Sequence, residues 1–155
     1  GVAVEFHDLV CGYRHEVLAE TVGDFVLRRR DGIVAYPLAT AVDDGAGEIT
    51  RVIRGRDLLA STAAQLLVID RLGLTRPAYG HVPIMVNTAG QKLSKQTHAA
   101  PLDPARPLAN LRLVLEALGS PAAGAPAGTS TELLAVATGT WSIDHLPATD
   151  PVAPS

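Results

Sequence analysis

Hydrophobic and polar positions divide the chain into short predicted elements. VAVEFHDLV (2–10) alternates or runs apolar and predicts a strand that ends at Gly12. Residues 13–23 are mixed and read as a loop or short turn. DFVLRRRDGIVAY (24–36) sets two β-prone runs around Asp31-Gly32, a dipeptide that tolerates the positive φ of tight turns, and predicts a hairpin. Pro37, with its φ preset for a first helical turn, opens a short predicted helix over 37–44, with Gly45 as its stop. EITRVIRG (48–55) reads as a strand ending in Arg54-Gly55.

Residues 57–72 carry the strongest helical period. Leu59, Ala63, Leu66 and Leu67 line one face, widened by Leu58, Val68, Ile69 and Leu72. Ser61 and Gln65 form the narrow polar stripe, and Gly73 ends the helix. HVPIMV (81–86) is a further predicted strand, so 48–86 has the strand-helix-strand pattern of a crossover in a parallel sheet. PLANLRLVLEALG (107–119) is a helix with Leu108, Leu111, Leu115 and Leu118 on its apolar stripe. SPAAGAPAG (120–128) reads as a linker that packs little. Thr129 and Glu132 have capping-box spacing before a last helix ending near Gly139, and the tail after Pro147 reads as loose. The fold class expected is α/β.

Composition narrows the partners. Of 155 residues 47% are apolar, enough for a core, and the net charge of −3 means that nucleic-acid binding would need a local basic patch. Arg28 to Arg30 form one small cluster, which reads first as a solvated hairpin tip. A single cysteine, Cys11, excludes an internal disulfide and fits a reducing compartment; it reads as a small buried hydrophobe. No apolar run approaches membrane-spanning length, and no basic-then-apolar leader opens the chain, so a cytoplasmic protein without membrane contact is expected. The five histidines lack metal-ligand spacing, and no metal site is read from them; His81 reads as a strand-end packing residue and Trp141 as a packing anchor under the tail.

GQKLSKQ (90–96) concentrates candidate chemistry. Asn87 to Gly90 is turn-forming, so Lys92 and Lys95 sit on a loop leaving a strand end, where open α/β sheets place ligands. Ammonium groups there can grip phosphate oxygens as charge develops on them. By spacing alone, two lysines three apart are a weak signal, better explained as solvated surface.

Lys92-Leu93-Ser94-Lys95-Gln96 resembles the signature lysine loop of class I aminoacyl-tRNA synthetases. DFVLRRRDGIVAYPLATAVDD (24–44), ITRVIRGRDLLASTAAQ (49–65) and AYGHVPIMVNTAGQKLSKQ (78–96) resemble, in order and interval, segments of the glutamyl/glutaminyl branch. The resemblance covers roughly 1–118. Within that branch the chain is most similar to the glutamyl-Q tRNA(Asp) synthetases, short paralogues without an anticodon-binding domain. Gln96 after the lysine loop, the short stretch that follows it, and ELLAVATGTWSIDHLP (132–147) carry that likeness.

The resemblance implies the C-terminal half of a Rossmann-like catalytic domain over 1–118, with the lysine loop at 92–96. A linker at 119–128, a short helical segment at 129–147 and a loose tail at 148–155 follow. It implies an ATP-dependent ligase that activates glutamate and transfers it to tRNA, with queuosine in the anticodon of tRNA(Asp) as acceptor. Tyr36 and Arg54 would hold glutamate, Arg54 on its side-chain carboxylate; Lys95, assisted by Lys92, would hold ATP with its Mg2+. Asp43-Asp44 reads as a helix-end pair. A monomer is expected.

Departures from the family pattern sharpen these expectations. Pro37 stands where the family usually has a polar residue. The family's His-x-Gly-His-like nucleotide motif does not occur in these residues, and neither does its cysteine-rich zinc-binding segment. Any zinc is therefore expected in an N-terminal half, and this polypeptide is expected to be a fragment that is inactive alone. A truncated ordinary glutamyl-tRNA synthetase and a non-catalytic RNA-binding remnant are the alternative readings.

Overall fold

A computed structural model describes residues 1–94, 99 and 101–153, which fall into two compact units, 1–81 and 82–155. The first unit opens with a hairpin that the sequence pattern only half predicts. β1 (Ala3–Asp8) pairs antiparallel with β2 (Gly12–Val17), from Ala3 opposite Val17 to Asp8 opposite Gly12. The polar side chains of GYRHEV hide this second strand from a hydrophobic period. Its real signal is the turn. Asp8 Oδ1 accepts from the backbone N–H of Val10 (3.0 Å) and of Cys11 (2.8 Å), and Gly12 takes φ +74°, which suits a residue without Cβ. Helix α1 (Leu18–Thr21) follows directly.

The predicted hairpin over 24–36 is present in reduced form. Arg28 and Val34 make one antiparallel bridge around Gly32, at φ +84°, and Arg29 N donates to Ile33 O at 2.8 Å. The basic cluster is partly consumed at the turn: Arg28 Nε donates to Gly32 O, and Arg29 pairs with Asp31 at 2.8 Å. Helix α2 (Tyr36–Ala46) starts on Tyr36 with Pro37 in its first turn. Gly45 lies inside it rather than ending it, and the glycine makes room for Leu74, whose Cδ1 would lie 2.9 Å from a Cβ there. The Asp43-Asp44 pair sits near the helix end, its carbonyls accepting from Gly47 N and Ile49 N.

Strand β3 (Arg51–Gly55) leads through a 3-10 turn (Arg56–Leu58) into α3 (Leu59–Arg71) and then β4 (Ala78–Val82), which pairs with β3. β4 is earlier than the 81–86 read from the pattern. Pro83, which has no N–H, follows its last residue and cannot extend a ladder. The core of this unit gathers Val4, Leu18, Ala41, Ala63, Leu66, Ile69 and Tyr79. Gln65, expected on a polar stripe, is buried instead, its amide donating to Thr40 Oγ1 at 3.1 Å.

In the second unit α4 (Pro107–Ala117) and α5 (Ser130–Gly139) pack through Leu115, Leu133 and Ala137, with Leu108 and Leu111 against them as their stripe predicts. The capping box is complete, with Thr129 Oγ1 accepting from Glu132 N and Glu132 Oε2 accepting from Thr129 N. Residues 120–128 do not behave as a bare linker. They include a 3-10 turn (Pro121–Gly124) whose Ala122 is buried, and Arg112 donates to the carbonyls of Ala123 (2.7 Å), Ala125 (2.9 Å) and Ala127 (3.4 Å). Nor is the tail loose as far as Ala153. Val152 bridges Val86, Val86 N donates to Pro151 O, and Ala153 N to Val86 O. Trp141, expected as a packing anchor, is 45% exposed. Among the described residues no helix is long and apolar enough to cross a membrane.

One buried polar pair ties the β1–β2 turn to β4. Asp8 and His81 are both fully buried, with His81 Nδ1 2.6 Å from Asp8 Oδ2 and His81 N donating to Oδ1 at 3.2 Å. Burial pushes the Asp8 carboxyl up, but hydrogen bonds from Cys11 N, the His81 ring, Val10 N and His81 N together outweigh it and hold the group below its ordinary 3.8. Burial pulls His81 below its ordinary 6.5, against the opposing hydrogen bond to Asp8.

Two predictions follow from this architecture. Gly73 and Gly119 share φ +67°, but a Cβ at Gly73 meets nothing within 4 Å, whereas at Gly119 it would lie 2.2 Å from His145 O. Gly73→Ala is expected to cost about 1 kcal/mol of stability for the left-handed backbone alone. Gly119→Ala adds roughly 1–3 kcal/mol of overpacking. Urea denaturation of both variants checks this, and equal losses contradict it. The second concerns acid. A histidine whose folded pKa is lowered contributes stability that is complete above its unfolded value and declines as pH falls below 6.5. Asp8 adds a further decline below 3.8. Urea midpoints from pH 8 to 5 should be level down to about 6.5 and then drop; a midpoint rising toward pH 5 contradicts the neutral buried imidazole.

Candidate functional site

Arg54 is the centre of the first unit's polar cluster. It is half-buried near the end of β3, and its guanidinium is held on several sides. Nε donates to His81 Nε2 at 2.9 Å, Nη2 donates to Thr62 Oγ1 at 2.8 Å and to Leu58 O at 3.4 Å, and Nη1 donates to Tyr36 Oη at 3.3 Å. Its Cζ lies 5.0 Å from the centroid of the Tyr79 ring, and that ring stacks on His81 at 6.0 Å and 11°. Tyr79 is 3% exposed, and burial pushes its phenol above the ordinary value.

Local structure accounts for each partner. Tyr36 is the first residue of α2, so its side chain projects from the helix start and is 47% exposed. Thr62 lies in the first turns of α3 and is fully buried, its hydroxyl 3.2 Å from His81 Nε2 and 3.3 Å from Leu58 O. Asp8 comes from the β1–β2 turn and His81 from β4.

Donor arithmetic sets the protonation of the ring. Arg54 Nε has only a hydrogen to offer, so His81 Nε2 must be the acceptor. The ring proton then sits on Nδ1 and is donated to Asp8 Oδ2. His81 is a neutral imidazole in one tautomer, in keeping with its lowered pKa. Among the described residues, the Arg54 contacts leave one Nη1 N–H beyond the bond to Tyr36, and Tyr36 Oη, as acceptor, keeps its own proton for donation. A guanidinium edge and a phenol hydroxyl side by side suit an anionic oxygen ligand.

The structure thus brings Tyr36 and Arg54 together, as the two residues expected to share one substrate. Reading the sequence singles out neither Asp8 nor Thr62, and takes His81 for a packing residue. The usable signal for Asp8 and His81 was polar residues inside apolar runs: Asp8 after Phe6, and His81 between Tyr79 and Val82. Gln65 belongs to the same class, buried with its Oε1 lacking a hydrogen-bond partner among the described residues.

Lys92 lies in the second unit, on a tight turn. It bridges Val86 antiparallel, Leu93 N donates to Met85 O, and Asn87 Oδ1 accepts from Ala89 N and Gln91 N, with Gly90 at φ +75°. Lys92 is exposed on the return arm of this turn. Lys95 and Gln96 lie outside the described residues. Among the described residues no group of three or more His, Cys, Asp or Glu has metal-holding geometry.

Comparison with known proteins places the chain in a family. The family model described as tRNA synthetases class I (E and Q), catalytic domain, matches residues 1–104. Glutamyl-Q tRNA(Asp) synthetase of Thiobacillus denitrificans is 44% identical over 151 residues, covering 97% of this chain and 50% of that protein. The protein of the same name from Synechococcus sp. is 47% identical over 150 residues, covering 94% and 47%. The chain therefore spans about half the length of the curated relatives it matches. Among solved structures, glutamate-tRNA synthetase from Elizabethkingia anophelis superposes with a TM-score of 0.76 at 23% identity, over 99% of this chain and 35% of that one, a likeness of fold. With two thirds of its length matched by one family model and its fold shared with a solved glutamate-tRNA synthetase, the chain belongs to the class I tRNA synthetases for glutamate and glutamine (E and Q) and carries part of their catalytic domain.

Proposed function

We propose that this chain is part of an ATP-dependent enzyme that activates glutamate and transfers it to tRNA. The observation that carries this reading is the outward edge of Arg54. Its guanidinium is fixed by His81, Thr62 and Leu58, and its remaining Nη1 N–H stands beside the Tyr36 hydroxyl. Such a pair fits the side-chain carboxylate of glutamate: the guanidinium supplies charge and direction, and the phenol a second donor. Glutamine, uncharged, would accept from the guanidinium through one oxygen but lose the ionic attraction and the second acceptor.

In the proposed reaction an α-carboxylate oxygen of glutamate attacks the α-phosphorus of ATP. The bond from that phosphorus to the oxygen bridging to the β-phosphorus breaks, and pyrophosphate departs with the electron pair, leaving glutamyl-adenylate. A nucleoside hydroxyl of tRNA then attacks the activated carbonyl, losing its proton, and AMP departs. Lys92 and Lys95 are assigned to the triphosphate, where ammonium groups that tighten on the leaving oxygens lower the barrier. Mg2+ is assigned to the ATP phosphates as part of the nucleotide substrate.

The names of the relatives support queuosine-bearing tRNA(Asp) as the acceptor. Nothing in the Tyr36–Arg54 cluster bears on the nucleoside, so the acceptor rests on those names alone. We assign the enzyme to the cytoplasm, where its tRNA and ATP are found, and take it to act as a monomer.

The test uses the full-length protein. Glutamate-dependent ATP–pyrophosphate exchange is expected without added tRNA. Arg54→Gln should raise the glutamate KM by about 10–100-fold, the loss of a charge-assisted bond. Lys95→Ala should lower kcat by about 100-fold or more, as for a lost donor to developing charge. Labelled glutamate should pass to queuosine-containing tRNA(Asp) and not to tRNA(Asp) lacking queuosine. Charging of tRNA(Glu) instead would identify an ordinary glutamyl-tRNA synthetase, and absence of exchange would identify a non-catalytic RNA-binding remnant.

A further inference from the structure

The geometry points to Asp8 and His81 as positioning residues: the buried carboxylate fixes the tautomer of the imidazole, and the bare Nε2 so produced seats Arg54 and aims its Nη1 edge at the substrate. This inference rests on the proposed assignment of Arg54 to an anionic substrate group. It adds residues that touch neither glutamate nor ATP.

The two oxygens of Asp8 have separate duties. Oδ1 accepts from three backbone N–H groups, those of Val10 (3.0 Å), Cys11 (2.8 Å) and His81 (3.2 Å). Oδ2 accepts from His81 Nδ1 alone among the contacts of that carboxylate, at 2.6 Å. The turn thus holds the carboxylate in one orientation, and the carboxylate holds the ring proton on Nδ1. Everything Nε2 can then do is accept, and it faces Arg54 Nε at 2.9 Å with the Thr62 hydroxyl at 3.2 Å. The Tyr79 ring lies nearly parallel to the imidazole, at 11° with centroids 6.0 Å apart.

This division makes Asp8→Asn an unusually directed probe. An asparagine has one acceptor and one donor where aspartate has two acceptors. Three backbone N–H groups at the Oδ1 position admit only the amide oxygen there. The amide nitrogen must then face His81 Nδ1 and turn it into an acceptor. The ring proton moves to Nε2 and confronts Arg54 Nε–H, donor against donor. The substitution changes one atom in a buried site, yet its consequence falls on the guanidinium beyond the ring. His81→Asn is the complementary change, keeping a donor for Asp8 near the Nδ1 position and deleting the acceptor for Arg54.

The experiment is 15N NMR of the histidine rings and arginine Nε–H groups in the full-length protein, with steady-state exchange kinetics on the same samples. The wild type is expected to show His81 protonated on Nδ1 only and a slowly exchanging Arg54 Nε–H signal. Asp8→Asn is expected to reverse the tautomer, release the Nε–H protection, and raise the glutamate KM about tenfold, the equivalent of one hydrogen bond to a charged group. The KM for ATP should stay put, and kcat should change far less than the glutamate KM. A wild-type ring protonated on Nε2 overturns the inference without any variant. So does a folded Asp8→Asn protein with its Arg54 signal and glutamate KM unchanged. If Asp8→Asn does not fold, His81→Asn decides by the same two readouts. Arg54→Gln runs in parallel: if it leaves the glutamate KM unaltered, the substrate assignment fails, while the tautomer and Nε–H signals still judge the positioning of Arg54.

Discussion

A carboxylate without access to water is tolerable only where donors replace the lost hydration. Asp8 meets that condition with three backbone N–H groups and an imidazole. Those donors come from two places distant in sequence, the β1–β2 turn and strand β4. The carboxylate therefore serves as a joint: the turn cannot open, nor β4 shift, without stranding a buried charge. His81 then extends the joint to β3 through Arg54, and Thr62 extends it to α3. Four elements of the first unit are registered against one another by directional contacts rather than by apolar packing alone, which has no direction.

The second unit meets a different difficulty by related means. Its segment 120–128 consists almost wholly of alanine, glycine and proline and has little apolar surface to bury. Arg112 supplies what side chains there cannot, gathering three alternate carbonyls along the segment, those of Ala123, Ala125 and Ala127. Burial of Ala122 against Leu115 and Leu133 then becomes accessible despite the small volume involved. Alanine here is an advantage, because it lets the backbone come close to the helices.

The apolar periods of α3 and α4, the helix start at Pro37 and the Thr129–Glu132 capping box were legible because each rests on contacts within a few residues. What stayed hidden depends on partners far along the chain. β2 is polar on both sides of its period and is recognisable only once Asp8 is seen to close the turn before it. Gln65 reads as surface until α2 brings Thr40 to it. Segment 120–128 reads as a linker until Arg112 finds it, and the tail reads as free until Val86 pairs with Val152. Tyr36 and Arg54 were selected by resemblance, 18 residues apart, and the structure joins them by a hydrogen bond. Whatever positions them, Asp8, Thr62 and His81, left no periodic trace.

The choice of arginine at position 54 follows from this arrangement. A lysine ammonium is a point charge on a flexible stem; it could answer a carboxylate but could not at the same time satisfy His81, Thr62 and the Leu58 carbonyl from one rigid plane. The guanidinium commits Nε and Nη2 inward and keeps one edge for the outside. Its direction is settled by the protein alone, so a ligand of the proposed kind would find little conformational entropy left to lose there. A fixed planar donor edge also favours a carboxylate over a carboxamide, which brings no charge to answer the guanidinium and has one acceptor oxygen in place of two. The aim of that edge thus begins in the tautomer of a buried imidazole.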